Sequence, residues 1–264
     1  MIGKNIMQKD VMAKKSKARL YVENDLKAGH EILLVGNLGH YLVNVMRLSG
    51  GAYLTLFNGR DGDWLAEIIT TGKGKAQIIV RENIAPQRPE PDLWYLFAPI
   101  KKARLDYMVQ KATELGVSLL RPVLTARTNL DRLKEDKIRL NAIEAAEQCG
   151  RMTLPVVEGM IKLDVLLADW PADRLILFCD EAGENDPGVF PIGRAINEAS
   201  AWQDHPKKWA ILIGPEGGFN DQERRLIRQH AQVVPVTLGP RILRADTAAV
   251  AAITLWQSFA GNWQ

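Results

Sequence analysis

The run Ile84-Ala85-Pro86-Gln87-Arg88-Pro89-Glu90-Pro91 divides this chain. Three prolines within six residues remove ladder donors and fix φ, so neither a central strand nor a helix crosses them, and they specify an extended, semi-rigid connection. The hydrophobic period differs on its two sides. The reading that follows is an N-terminal extension over residues 1–17, a β-barrel over 18–85, a linker over 86–91 and an α/β domain over 92–264.

Before the linker the signals are those of short strands. Glu31 to Val35 forms one, and Tyr53-Leu54-Thr55-Leu56-Phe57 alternates, with Leu54 and Leu56 on one face. Asn58-Gly59 and Asp61-Gly62 supply turns, Trp64–Ile69 and Ala76–Val80 continue a meander, and a short helix is expected near Tyr41–Leu48. Beyond the linker, apolar runs alternate with helical patterns. Leu93 to Phe97 is a run; Leu105, Met108, Val109, Ala112 and Leu115 then recur at helical spacing, closed by Gly116. Further strands are expected at Leu119–Val123, Leu175–Cys179, Trp209–Ile213 and Val233–Leu238. The helices between them end at Cys149, span Ile192–Trp202, and start at Asn220, where Glu223 completes a capping-box spacing; a last helix covers Thr247–Phe259. Solid apolar strands between helices predict a mainly parallel sheet covered on both faces.

Composition excludes several classes. With 47% apolar and 25% charged residues, the 264-residue chain can bury a core, and no run of eighteen apolar residues offers a membrane span. The start lacks the apolar segment of a secretory signal, which predicts a cytoplasmic protein. Cys149 and Cys179 form neither a disulfide framework nor a zinc spacing, and His30, His40, His205 and His230 contain no i,i+4 pair, so no metal site is expected. Net charge is +3, yet Lys4, Lys9, Lys14, Lys15, Lys17 and Arg19 face only Asp10 among the acids of the first nineteen residues. That run is either a solvated tail or a basic arm that meets phosphate.

Two strand-to-helix loops carry the chemistry: Leu212-Ile213-Gly214-Pro215-Glu216-Gly217-Gly218-Phe219 and Leu238-Gly239-Pro240-Arg241-Ile242-Leu243-Arg244-Ala245-Asp246-Thr247-Ala248. In open α/β sheets ligands sit at the carboxyl ends of strands, where both loops fall. Neither loop is a P-loop or a G-x-G-x-x-G, and Glu216 would repel a pyrophosphate, so a ligand of positive or mixed charge suits the site better.

The same two loops, taken with Lys111-Ala112-Thr113-Glu114-Leu115-Gly116-Val117, Arg127-Thr128 and Glu144-Ala145-Ala146-Glu147-Gln148-Cys149-Gly150-Arg151 followed by Pro155, resemble the 16S ribosomal RNA (uracil-N3)-methyltransferase family. Met46-Arg47-Leu48 and Phe57-Asn58-Gly59 are similar to the family's N-terminal barrel, and the likeness runs from about Arg19 to the C-terminus. Asp246 stands where a glutamate is more usual, and residues 1 to about 17 extend beyond the typical start. The resemblance implies a SPOUT-class enzyme that uses S-adenosylmethionine, with a deep trefoil knot in its C-terminal domain. It also implies a PUA-like barrel that helps bind RNA, a homodimer with its active site at the subunit interface, and a uridine at family position 1498 of 16S rRNA as target.

Residue roles follow from that reading. Arg244 and Arg151 are the expected catalytic cations, Arg244 ahead of Arg151; the other use of Arg244 is a structural bond to Asp246 or to a backbone carbonyl. Leu212, Gly214, Glu216, Gly217, Gly218, Leu238, Gly239, Ile242 and Leu243 are expected around the cofactor, the leucines and Ile242 serving otherwise as core. Lys111, Arg127, Gln148, Arg19 and Arg47 are expected to meet RNA; Arg127 and Arg151 either hold an RNA phosphate or touch the base, and the other reading of Lys111 is a solvated side chain. Glu144 and Gln148 share a helix face that either orients Arg151 or the nucleotide, or is simply polar surface. Cys149 is read as a small helix residue, since N3 methylation has no use for the thiolate attack of C5 methylation. The rivals are a ribose 2′-O-methyltransferase of the same superfamily and a non-catalytic RNA-binding ribosome-assembly factor.

Overall fold

The computed structural model describes residues 15–128, 133–180, 188–201 and 208–263. Most of the basic extension therefore lies outside the described residues. The chain forms two compact units, one of Met1–Pro89 with Glu147–Thr153, the other of Glu90–Ala146 with Leu154–Gln264.

The first unit holds β1 (Arg19–Tyr21), β2 (Glu31–Leu34), the one-turn α1 (Gly36–His40), β3 (Tyr53–Phe57), β4 (Asp63–Gly72) and β5 (Lys75–Ala85). Its sheet runs in the order β1-β3-β4-β5-β2, parallel between β1 and β3 and antiparallel elsewhere. The expected helix starts earlier than its apolar pattern does, at Gly36, and passes into a π-turn over Tyr41–Val45. Register shifts between β4 and β5 increase local twist, and inward positions such as Leu20, Ile32, Leu54, Leu56, Ile68 and Ile78 meet in one core. Residues 147–153 belong here through bonds that each pair a main-chain group with a side chain. The Tyr21 N–H donates to Glu147 Oε1 at 2.9 Å, and Arg19 Nη2 donates to the Arg151 carbonyl at 2.9 Å.

The second unit alternates strand and helix: β6 (Leu93–Phe97), α2 (Lys102–Glu114), β7 (Leu119–Leu124), α3 (Glu135–Cys149), β8 (Val156–Val157), β9 (Ile161–Lys162), α4 (Leu163–Ala168), β10 (Arg174–Cys179), β11 (Phe190–Pro191), α5 (Ile192–Ser200), β12 (Lys208–Ile213), α6 (Asp221–Arg228), β13 (Val233–Thr237) and α7 (Ala245–Phe259). The last residues of α3 cluster with the first unit. Strand order is β11-β13-β10-β12-β6-β7-β8, with β9 beside β7, and these ladders are parallel.

Alternation along the strands explains why they read as solid apolar runs. Tyr95, Leu175, Leu177, Trp209 and Ile211 pack on one face with Met108, Ile196, Ala252 and Trp256. Leu96, Ile176, Phe178, Ala210 and Leu212 pack on the other with Leu163, Leu167 and Ile227. Both faces are covered, so the strands carry apolar residues toward both. Burying each such anchor contributes roughly 1.5–3 kcal/mol. Helix α7 lies against α2, α5 and β12, and its small residues Ala248, Ala249 and Ala252 are buried there.

Candidate active site

The carboxyl ends of β13, β10 and β12 open into a cavity of about 360 Å³ in the second unit. One wall is the 214–219 connection. The Gly218 N–H donates to the Pro215 carbonyl at 2.8 Å to close a turn, and Gly218 takes φ 67° to do so. Gly214 leaves room for Phe219: a Cβ there would stand 2.7 Å from the Phe219 ring. That ring meets Phe178 edge-on at 5.3 Å, which fixes the cavity floor. The wall then enters α6 through the expected capping box, with Asn220 Oδ1 accepting from the Glu223 N–H at 2.8 Å and Glu223 Oε2 from the Asn220 N–H at 3.0 Å. Glu223 Oε1 also accepts from the Ala126 N–H at 2.7 Å, and Arg127 Nη1 donates to the Gly217 carbonyl at 2.6 Å. The loop after β7 thus braces the wall from outside.

The opposite wall is the 238–244 connection. Gly239 adopts φ 110°, a left-handed conformation that favours glycine, and its N–H donates to Thr237 Oγ1 at 3.2 Å. Ile242 is 83% exposed on this loop. Helix α7 begins behind it with Arg244 as N-cap and without a side-chain cap, so the positive end of the helix faces the cavity that Ala245 and Ala248 help to line.

Charged groups ring the space. Arg104 pairs with Glu216 at 3.4 Å, an exposed contact worth little by itself. Asp180, buried at the end of β10, takes Arg224 at 3.1 Å and Arg228 at 2.8 Å. Arg241 and Arg244 are exposed and form no ion pair among the described residues. Burial, with the neighbouring Asp180 charge, pushes the cavity-lining Cys179 thiol up to about 12, so it stays protonated and inert as a nucleophile at neutral pH.

Comparison with known proteins places this architecture. The family described as RNA methyltransferase domain matches residues 87–257, which contain both walls of the cavity, and the RNA methyltransferase PUA domain matches residues 36–81. The ribosomal RNA small subunit methyltransferase E of Bacillus subtilis is 31% identical over 232 residues, covering 84% of this chain and 87% of that protein. The chain belongs to the ribosomal RNA small subunit methyltransferase E family. The Rickettsia conorii member is 29% identical, with 89% of this chain and 93% of that protein covered. The Neisseria gonorrhoeae member, solved bound to S-adenosylmethionine, superposes with a TM-score of 0.78 at 27% identity, covering 94% of this chain and 99% of that one.

In this methyltransferase E family chain, the sequence-predicted residues fall into three groups. Gly214, Glu216, Gly218, Leu238, Gly239, Ile242, Leu243 and Arg244 all line the one cavity. Leu212 and Gly217 do not. The Leu212 side chain is fully buried on the α4–α6 face of the sheet, and Gly217 faces Arg127, whose Cδ would lie 3.4 Å from a Cβ at that position.

The remaining residues have other engagements. The Arg19 side chain is 15% exposed, held by Asp63 at 2.8 Å and stacked 3.8 Å over Phe57, so it serves the packing of the first unit. Arg151 is likewise buried in that unit, with Nε donating to Thr153 Oγ1 at 3.0 Å. Arg47 and Gln148 are exposed on the same unit, Arg47 with φ 53°. Lys111 is engaged along its own helix, by Glu114 at 2.7 Å. Glu144 and Cys149 are exposed on α3. Sequence reasoning missed Arg104, Asp180, Phe219 and Arg224 as cavity residues. The signal for Asp180 was present, since it is the first residue beyond an apolar strand at the ligand-binding edge. Arg104 and Arg224 carried no such mark.

Proposed function

We propose that this chain transfers a methyl group from S-adenosylmethionine to N3 of a uridine in small-subunit ribosomal RNA, giving 3-methyluridine. The observation that carries the reading is an exposed Arg244 at the N-terminus of α7, beside a cavity walled by both signature loops. The residues present fit the cofactor. About 360 Å³ suits a nucleoside-sized ligand, Leu238 and Leu243 give a nucleobase apolar walls, and the first turn of α7 offers backbone donors.

When bound, S-adenosylmethionine supplies a methyl group carried on a sulfonium, already a strong electrophile. The work left to the chain is at uridine. N3 has no available lone pair until its proton passes to solvent water or a carboxylate, and negative charge then spreads onto O2 and O4. Arg244, reinforced by the helix end behind it, stabilises that charge as it develops, an effect typically worth about 10²–10³ in rate. Glu223 and Arg127 keep the opposite wall in place while this happens.

The same reading includes a homodimer, a C-terminal helix threaded as a trefoil knot, RNA binding through the first unit, and a cytoplasmic setting among ribosomal RNA. A second cavity, between Tyr107 of α2 and Val250, Ala251, Thr254 and Leu255 of α7, supports the dimer, because it leaves an apolar helix face for another copy to cover. Among the described residues, no helix is long and apolar enough to cross a membrane.

The decisive experiment incubates the purified protein with S-adenosylmethionine and unmodified small-subunit ribosomal RNA, then analyses nucleosides by mass spectrometry. 3-Methyluridine is expected. A 2′-O-methyl nucleoside in its place, or no methylated product, refutes the reading.

A further inference from the structure

The first wall of the cavity has little means of holding its own shape. Residues 214–218 read Gly-Pro-Glu-Gly-Gly, and glycine restricts the backbone less than any other residue. Pro215 fixes its own φ, and a bond inside the segment, from the Gly218 N–H to the Pro215 carbonyl at 2.8 Å, closes the turn. Glu216 and Gly218 line the cavity, whereas Gly217 between them turns toward Arg127. A group that fixes the Gly217 peptide therefore fixes the cavity residues on either side of it.

Arg127 does so in two ways. Its Nη1 donates to the Gly217 carbonyl at 2.6 Å. Its stem also covers the glycine, with Cδ and Cβ at 3.4 and 3.5 Å from the point that a Cβ on Gly217 would occupy. Arg127 is in turn held by the loop that carries it. The Thr125 N–H donates to Thr128 Oγ1 at 3.0 Å, the Thr128 N–H to the Thr125 carbonyl at 3.1 Å, and the Ala126 N–H to Glu223 Oε1 at 2.7 Å. The amides on both sides of Arg127 are thus engaged without any ligand. A side chain fixed in this way loses little further freedom in holding Gly217, which is the condition for a preorganised wall.

Resting on the cofactor assignment above, we infer that Arg127 is a positioning residue for the cofactor and not a contact to RNA. It keeps the 216–218 backbone in its binding shape before the cofactor arrives, so that little ordering remains to be done on binding. Its exposure comes from its place on the outer side of the wall.

Calorimetry of the full-length protein with S-adenosylhomocysteine in the absence of RNA tests this, beside binding of small-subunit ribosomal RNA across salt concentrations. Arg127→Met keeps most of the stem and loses the donors. It is expected to weaken S-adenosylhomocysteine by about three- to tenfold and to leave the RNA affinity and its salt slope unchanged. Arg127→Lys should weaken it less. Gly217→Ala added to Arg127→Met should recover part of the loss. Gly217 has no positive φ, an alanine there meets the 127 stem at ordinary contact distance, and its narrower backbone freedom replaces the lost restraint. That recovery separates positioning of the wall from general support of the fold, which a second substitution would not restore. Unchanged S-adenosylhomocysteine affinity in Arg127→Met overturns the inference, as does a loss of RNA affinity with a shallower salt slope. Hydrogen exchange needs no variant: the buried Gly218 amide of the unaltered protein should exchange slowly without ligand. Exchange there that stays fast until S-adenosylhomocysteine is added also overturns the inference. An unaltered protein that binds no S-adenosylhomocysteine overturns the cofactor assignment, and the inference with it.

Discussion

Arg244 has the position that a transition-state cation requires: exposed, at the positive end of α7 and without an ion-pair partner among the described residues. Arg127, exposed as well, already spends a donor on Gly217 at 2.6 Å. The two should therefore behave differently. Arg244→Ala is expected to lower the single-turnover rate by about 10²–10³ while leaving S-adenosylhomocysteine binding nearly intact; an unchanged rate removes Arg244 from the chemistry. A different residue contributes to acid stability in the first unit. The Leu26 N–H, at 2.9 Å, and the Asn58 amide, at 2.6 Å, hold the Asp61 carboxyl below the usual aspartate range. A carboxyl depressed on folding contributes stability above its unfolded pKa and loses it as pH falls through the folded one. Asp61→Asn should accordingly shrink the drop in urea midpoint between about pH 7 and pH 3. Equal drops in both proteins would show that another carboxylate governs the acid limb.

Helix α6 illustrates an element doing two tasks with one side chain. Asn220 contributes only to the cap, but Glu223 closes the cap with Oε2 and anchors the 125–128 loop with Oε1. Losing an N-cap costs about 1 kcal/mol, so Asn220→Ala and Glu223→Ala should destabilise comparably. Their local effects should separate. Hydrogen exchange at the Ala126 amide is expected to accelerate in Glu223→Ala and to stay near the unaltered rate in Asn220→Ala; matched exchange in the two variants would mean that the tether carries no local stability. Helix α7 is an element of the opposite kind. Ala249 and Ala252 are buried against neighbouring helices, and the absence of large side chains there lets backbones approach.

At the scale of the whole molecule, the first unit is not contiguous in sequence. It draws residues 147–153 from beyond the linker, and these supply an acceptor for Tyr21 and another for Arg19, 126 and 132 residues away respectively. A fragment of residues 15–89 should unfold at lower urea than the same unit in the full chain, and a covalently joined 147–153 segment should recover part of the loss. Identical midpoints would make the segment dispensable. This arrangement also marks where the sequence stops being informative. Its periodicities, the three prolines, the Asn220–Glu223 spacing and the glycine-bearing strand ends specify the order of elements, the parallel sheet and the two walls of the cavity, because each depends on residues within one or two turns of one another. Tertiary structure alone decided that Arg19 is spent on Asp63 and Phe57, that Glu223 reaches Ala126 across 97 residues, and that Asp180 gathers Arg224 and Arg228 at the cavity floor. Those partners meet because packed strands and helices carry distant side chains to one place, and no local pattern encodes which charge will find which.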